Sequence, residues 1–151
     1  MLDEIDRAIL RALQKNTHQS IEALGDLVGT SRASAQRRVQ SLRKSGAIAA
    51  EIAVIDTRVV GAQMTFVVEV ELERERVDLL DEFRRSMTAL QEVQQCYYVT
   101  GHTDFVLIVV TDDMPSYERF SRRVFTENPN IRRFHTNVVV DRVKVGLSVP
   151  I

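Results

Sequence analysis

Between residues 64 and 143 the hydrophobic pattern changes period repeatedly, and the order of those changes limits the folds open to the chain. "TFVVEVELE" (65–73) alternates, with Phe66, Val68, Val70 and Leu72 on one side and Glu69, Glu71 and Glu73 on the other. That is the two-residue period of a strand with one buried face. Residues 76–90 follow with helical spacing through Leu80, Phe83, Met87 and Leu90. Residues 93–99 read as a strand, and "FVLIVV" (105–110) as an unbroken apolar one. A helix beginning at Met114 or Ser116 and running to Asn128 turns Tyr117, Phe120 and Val124 inward and stops ahead of Pro129. A last strand covers 131–143. The order β-α-β-β-α-β predicts a ferredoxin-like (split βαβ) domain of the α+β class.

Both helices of such a domain pack on one face of the sheet and leave the other open. "FVLIVV" nevertheless has no polar alternation to meet water, and a strand of that kind is normally covered on both faces. An exposed apolar patch of that size marks an interface. The expectation is a homodimer built sheet to sheet.

The first third reads differently. Leu2, Ile5, Ile9 and Leu13 have helical spacing, with Asp3, Glu4 and Asp6 in the first turn, where the helix dipole favours negative charge. Ser20 caps a second helix over 21–28 that faces inward through Ile21, Leu24, Leu27 and Val28. "GTS" breaks the pattern. Ser31 caps a third helix, 32–45, buried along Ala35, Val39 and Leu42 and ended by Gly46 in the left-handed conformation. Helices this short must share one core. Two of them joined by a tight glycine-containing turn make a helix-turn-helix.

The third helix carries Arg32, Arg37, Arg38, Arg43 and Lys44, and the stretch 30–46 has no acid. Eight cations against five acids give residues 1–50 a charge of +3, so the remainder of a chain with net charge −1 is −4. A basic third joined to an acidic remainder suggests two domains with different partners. Ser31 and Arg32 stand at the leading end of the helix, Ser34, Arg37, Arg38 and Ser41 on or beside its free face, and Lys44 on its flank. Short polar residues and Arg at the leading end, with cations on the flanks, suit a major groove of double-stranded DNA. The competing reading is a solvated charged face. A dimer would present two such helices to a two-fold site. "AIAAEIAVI" (47–55) reads as a short extended segment and 56–62 as a hinge. The expected domains are therefore 1–50, a strand and hinge at 51–62, and 63–151.

Other classes find little support. Composition is 44% hydrophobic and 27% charged, as in soluble globular proteins, and no apolar stretch reaches the ~20 residues of a bilayer span. The acidic start lacks a signal peptide's regions, and the one cysteine, Cys96, cannot form an internal disulfide, so a reducing cytoplasm is expected. Cys96 reads as packing material. His18, His102 and His135 are scattered, so no metal site and no cofactor is expected. No nucleophile motif, phosphate loop or dinucleotide fingerprint appears, and an enzyme is not expected.

"SRASAQRRVQSLRKSGAI", with Ser31, Arg38, Val39, Leu42, Gly46 and Ile48, resembles the DNA-binding signature of the Lrp/AsnC (feast/famine) transcription regulators of bacteria and archaea. "CYYVTGHTDFVL" followed by "DDMPSYERF" resembles the signature of their second domain, and the likeness runs from "LDEIDRAILRALQKN" to "VVVDRVK". The resemblance implies a winged-type helix-turn-helix joined to a βαββαβ effector domain. It implies dimers that assemble further, to tetramers or octamers, with an amino-acid effector between dimers. It also implies work on the nucleoid. Two positions depart from the family pattern: Asp56-Thr57 where Asn-Pro is common, and His102 where an acid is frequent.

On spacing alone "TGHTD" (100–104) is a hairpin in which Gly101 supplies backbone freedom and Asp104 bonds its own turn. The resemblance makes it part of an effector pocket of Tyr98, Thr100, Gly101, His102, Thr103, Asp104, Asp113 and Thr136. The loop's N–H groups would take the effector's carboxylate, and Asp104 or Asp113 its ammonium. Tyr98, His102 and Thr136 would discriminate its side chain. Asp113 reads equally as a helix N-cap. His102 is expected to tune effector choice by adding a donor that titrates near neutrality. A ligand-independent DNA-architectural protein and a siroheme-decarboxylase-like enzyme on the same frame are the alternatives.

Overall fold

In a computed structural model the described residues are 2–56, 59–61 and 63–151. The chain divides into two units, one of residues up to 54 together with 144–151, the other of 55–143.

In the first unit, α1 (Glu4–Leu13) is opened by a capping box. The Asp3 carboxylate accepts from the Asp6 N–H at 2.8 Å, and Asp6 accepts from the Asp3 N–H at 3.2 Å. Ser20 caps α2 (Ile21–Val28) and Ser31 caps α3 (Arg32–Lys44), each accepting the N–H three residues on. Ile9, Leu10, Leu24, Val39 and Leu42 form one small core. The buried face expected for α3 is the one observed, with Ala35 joining Val39 and Leu42. Two expectations fail nearby. Leu2 precedes the helix and is exposed, and Leu27 is 67% exposed because α2 turns inward along Ile21, Leu24, Gly25 and Val28 instead.

Gly25 is what lets α2 and α3 meet tightly. A Cβ there would lie 2.9 Å from the Thr30 carbonyl oxygen and 3.4 Å from the Arg32 nitrogen. The Thr30 N–H donates to the Gly25 carbonyl at 2.9 Å, closing the turn. The last residues of the chain also dock here. Gln14 exchanges two hydrogen bonds with the Val149 backbone at 3.1 and 2.6 Å, and Ile151 packs against the core. The C-terminal end therefore groups with the helices rather than with the second domain, where it was expected.

No strand forms over 47–56; these residues are irregular, and Ile52, Val54 and Ile55 are exposed. The expected strand, and the wing it would build, are not seen among the described residues. The hinge departure falls partly on Thr57, which lies outside the described residues.

The second unit is a four-stranded antiparallel sheet in the order β2-β3-β1-β4. Its elements are β1 (Met64–Leu72), α4 (Val77–Thr88), β2 (Val93–Tyr98), β3 (Phe105–Thr111), α5 (Met114–Ser121) and β4 (Ile131–Val138). Connectivity and order are those of the expected split βαβ domain. The second helix changes character at Arg122–Thr126, a turn of π-helix that the spacing did not foretell. Phe66, Val68, Val70, Phe105, Leu107 and Val109 pack against Leu80, Phe83, Met87, Tyr117, Phe120 and Phe125 on the helical side.

Register defines the other face. Glu69 pairs across to Val106 and His135, Val67 to Ile108 and Asn137, and Glu71 to Arg133. Val106, Ile108 and Val110 are half-buried on that side, where none of this unit's helices packs among the described residues. Its rows run from apolar at the β1 start (Val67, Ile108, Val110) to charged at the β1 end (Glu69, Glu71, Arg133, His135).

Candidate nucleic-acid and effector surfaces

The five cations of α3 are not equivalent. One Arg38 Nη1 donates to Asp3 and to Asp6, both at 2.7 Å, tying α3 to the capping box of α1. The Asp6 backbone N–H, and next the Arg38 guanidinium, hold the Asp3 carboxyl below the usual carboxylate range. The bonds to Asp3 and Asp6 turn the guanidinium toward α1, and Arg38 Nε is buried there without a hydrogen-bond partner among the described residues. Arg43 makes two 2.9 Å bonds to Glu51, just beyond the acid-free stretch.

Compensating acids therefore exist; they come from neighbouring segments. Arg38, expected as a DNA contact, is occupied in holding α3. Arg32, Arg37 and Lys44 are exposed and have no ion pair among the described residues, and Ser41 is exposed beside them. Ser31 has its hydroxyl committed to the Ser34 N–H at 3.3 Å, so it acts as cap, and Ser34 is half-buried.

The loop 99–104 closes β2 to β3. Gly101 has φ of +136°, a conformation that L side chains rarely adopt. The Asp104 N–H donates to the Val70 carbonyl at 2.9 Å, its carboxylate accepts the Leu72 N–H at 2.6 Å, and the Thr103 hydroxyl donates to the same Val70 carbonyl at 2.8 Å. The loop is thus stitched to the end of β1. Thr100, Gly101 and His102 are exposed.

Asp113 is a helix cap, accepting the Ser116 N–H at 2.7 Å; that bond holds its carboxyl below the usual range. Thr136 lies on the helical side, hydrogen-bonded to the Tyr117 hydroxyl, whose burial pushes the phenol up. Tyr98 also points to that side, its ring 5.1 Å from that of Phe105 and under the Arg84 guanidinium. The eight expected effector residues do not converge. His102 and Thr103 border a hollow of about 170 Å³ on the open sheet face, with Glu69, Glu71, Arg133 and His135 completing it.

Those last four escaped the sequence reading. β1 showed its outward acids, but only the β1–β4 register brings Arg133 and His135 beside them. Glu71 in the hollow pairs with Arg133, which lines it too, at 2.7 Å and with Arg132 at 2.9 Å, and these guanidiniums, Arg133 first, hold its carboxyl low. Cys96, expected in packing, is exposed on edge strand β2, although desolvation pushes its thiol up. Among the described residues no group of His, Cys, Asp and Glu side chains is placed to hold a metal, and no helix is long and apolar enough to cross a membrane.

A helix-turn-helix unit joined to a ferredoxin-like domain is the frame of a DNA-binding regulator with a separate ligand-binding domain, and the family matches assign the chain to that class. Family comparison also finds two parts, with the second carried to residue 149, past the point where the chain's end groups with the helices. Residues 2–43 match the AsnC-type helix-turn-helix domain, and residues 65–149 match the Lrp/AsnC ligand binding domain. The chain belongs to the Lrp/AsnC family of transcriptional regulators.

It is 47% identical over 150 residues to an uncharacterized HTH-type transcriptional regulator, y4tD, of Sinorhizobium fredii, covering 99% of this chain and 89% of that one. It is 32% identical to the leucine-responsive regulatory protein of Escherichia coli, over 95% and 87%. A crystal structure of an AsnC family regulator from Agrobacterium tumefaciens superposes with a TM-score of 0.91 at 27% identity, covering 99% and 97%. A transcriptional regulator of Neisseria meningitidis in complex with L-Met superposes at 0.90 and 25% identity, over the same shares.

Proposed function

We propose that this regulator grips duplex DNA with the outward edge of α3, through Arg32, Arg37, Lys44 and Ser41. Ser31 and Arg38 hold the helix rather than touching DNA. The observation that carries this is the sorting of cations: two are locked to acids, while three remain exposed on the side away from the core. Lys and Arg without partners are the ones that can displace counterions from phosphates.

The active form is a homodimer in which a second copy covers Val67, Ile108 and Val110 on the open sheet face. A half-buried apolar row with none of this unit's helices over it among the described residues supports that reading. Two recognition helices then meet a two-fold site, and further assembly to tetramers or octamers would favour several phased sites. The effector is an α-amino acid. The ligand-binding domain match and the L-Met complex of the Neisseria regulator support this. It acts by favouring one assembly over another, in the cytoplasm, on nucleoid DNA.

Fluorescence anisotropy of a labelled duplex, titrated with protein in the presence and absence of each of the twenty L-amino acids, tests the proposal. Affinity that shifts with at least one amino acid is expected. Strong binding that none of them alters would favour a purely architectural role, and no binding at 50 mM salt would overturn the reading.

A further inference from the structure

We propose that the groove between α4 and residues 122–130, on the helical side of the second unit, is a binding site for a small organic amine. The ligand is one ammonium on an apolar body of about six carbons. The site lies across the sheet from the hollow of the open face and takes a different class of ligand.

The floor of the groove is apolar. Leu79, Phe83, Met87 and Leu90 recur at helical spacing along α4 and just beyond it, and all four line the groove. Leu72, at the end of β1, and Val124, from the segment facing α4, complete that lining. Phe83, Met87, Leu72 and Val124 are buried, while Leu79 and Leu90 are half-buried. The groove holds about 440 Å³, within the range of roughly 300–1,000 Å³ of small-molecule sites. A short alkyl chain or a phenyl ring placed there takes its own apolar surface out of water and covers the two half-buried leucines.

The wall opposite α4 has an irregular backbone. Arg122–Thr126 is a turn of π-helix, a departure from regular helical bonding often found at functional sites. It buries two adjacent residues for different purposes. Phe125 meets the Phe120 ring edge-on at 5.5 Å within the core, and Val124 is left to line the groove. Glu127 follows the turn directly and stands at the rim.

The rim sets the charge of the ligand. Most of its polar side chains are engaged. The Ser86 hydroxyl donates to the Phe83 carbonyl at 2.8 Å, and Asn128 accepts the Asn130 N–H at 2.9 Å. Asn130 itself exchanges two 3.2 Å bonds with the Arg74 backbone. Arg123, the cation that lines the groove, donates to Glu92 at 2.9 Å. Glu82 and Glu127 differ from these: no hydrogen bond or ion pair reaches either carboxylate among the described residues. One stands on α4 and the other on the facing segment, so the groove carries a negative surplus on both sides of an apolar floor.

An ammonium answers that surplus with charge-assisted hydrogen bonds. A carboxylate on the ligand would instead face two like charges and a guanidinium already paired, so an amine is favoured over an amino acid. Both glutamates are exposed, so each contributes modestly, and the apolar body supplies the larger share of the affinity.

Nuclear magnetic resonance of the full chain, titrated with hexylamine and phenethylamine and, for comparison, hexanol and hexanoate, tests the assignment. Both amines should bind, with shifts concentrated in residues 79–90 and 122–130. Hexanol should bind about tenfold more weakly, and hexanoate more weakly still. Glu82→Gln and Glu127→Gln should each weaken hexylamine about threefold and the double variant about tenfold, while leaving hexanol unchanged. Thermal melting confirms that each variant is folded. No binding of either amine at about 1 mM would overturn the assignment. So would hexanol binding as well as hexylamine, a double variant that binds hexylamine like the wild type, or shifts confined to the open sheet face.

Discussion

Replacing Arg37 and Arg38 one at a time separates a phosphate contact from a structural clamp, although the two residues are adjacent. Arg37 is exposed without an ion pair among the described residues, whereas Arg38 holds Asp3 and Asp6 at 2.7 Å. Each phosphate neutralised on duplex DNA contributes about −0.9 to the slope of log affinity against log salt. Three free cations per recognition helix give six per dimer and a slope of about −5.4. Affinity should then fall about 1,800-fold between 50 and 200 mM salt. Arg37→Ala removes two contacts per dimer, so its slope should be about −3.6 and its loss about 150-fold.

Arg38→Ala should keep the wild-type slope and instead lower the melting temperature of the first unit, because α3 loses its tie to α1. Asp6→Asn is the control, since it weakens the same tie without removing a cation. Anisotropy on one duplex across four salt concentrations, with melts alongside, reads both quantities. Were Arg38 a phosphate contact like the others, the wild-type slope would be about −7.2. Arg38→Ala would then flatten it with little change in melting, and the sorting of cations argued here would be wrong.

Three more outcomes follow from the geometry. Gly25→Ala should destabilise the first unit by about 1–3 kcal/mol, because its Cβ would meet the Thr30 carbonyl at 2.9 Å; chemical denaturation measures it. Asp3, Glu51, Glu71, Asp78 and Asp113 all have carboxyls held below their ordinary values. Their stabilisation is complete above the unfolded carboxylate range of about 4 and is lost as pH falls through the lower folded values. Melting temperature should be flat from about pH 7 to 5 and drop below about 4, less steeply for the first unit in Asp3→Asn. Ile108→Glu, on the open sheet face, should yield a folded monomer by sedimentation; an unchanged dimer would place the contact elsewhere.

The fold was legible where one face of an element is buried. Phe66, Val68 and Val70 alternate with Val67 and Glu69 because one side of β1 meets helices, and that period survives into the sequence. The positions of Ala35, Val39 and Leu42 on α3 survive for the same reason. What depends on long-range register was not legible. Asp3 and Arg38 lie 35 residues apart, and Glu71 and Arg133 lie 62 apart, so no local pattern announces either pair. Leu27 misled because an apolar residue at helical spacing reads as buried even when the core is already closed by Gly25 and Val28. The extended look of 47–55 was a statement about propensity, and strands form only against an edge.

Hydrogen–deuterium exchange of the full chain with and without sheared duplex DNA, at 50 mM salt, tests most directly whether α3 is the DNA-gripping element. Slowed exchange concentrated in residues 31–44 is the predicted result. Duplex binding that leaves α3 unchanged and protects β2 and β3 of the second unit instead would contradict it.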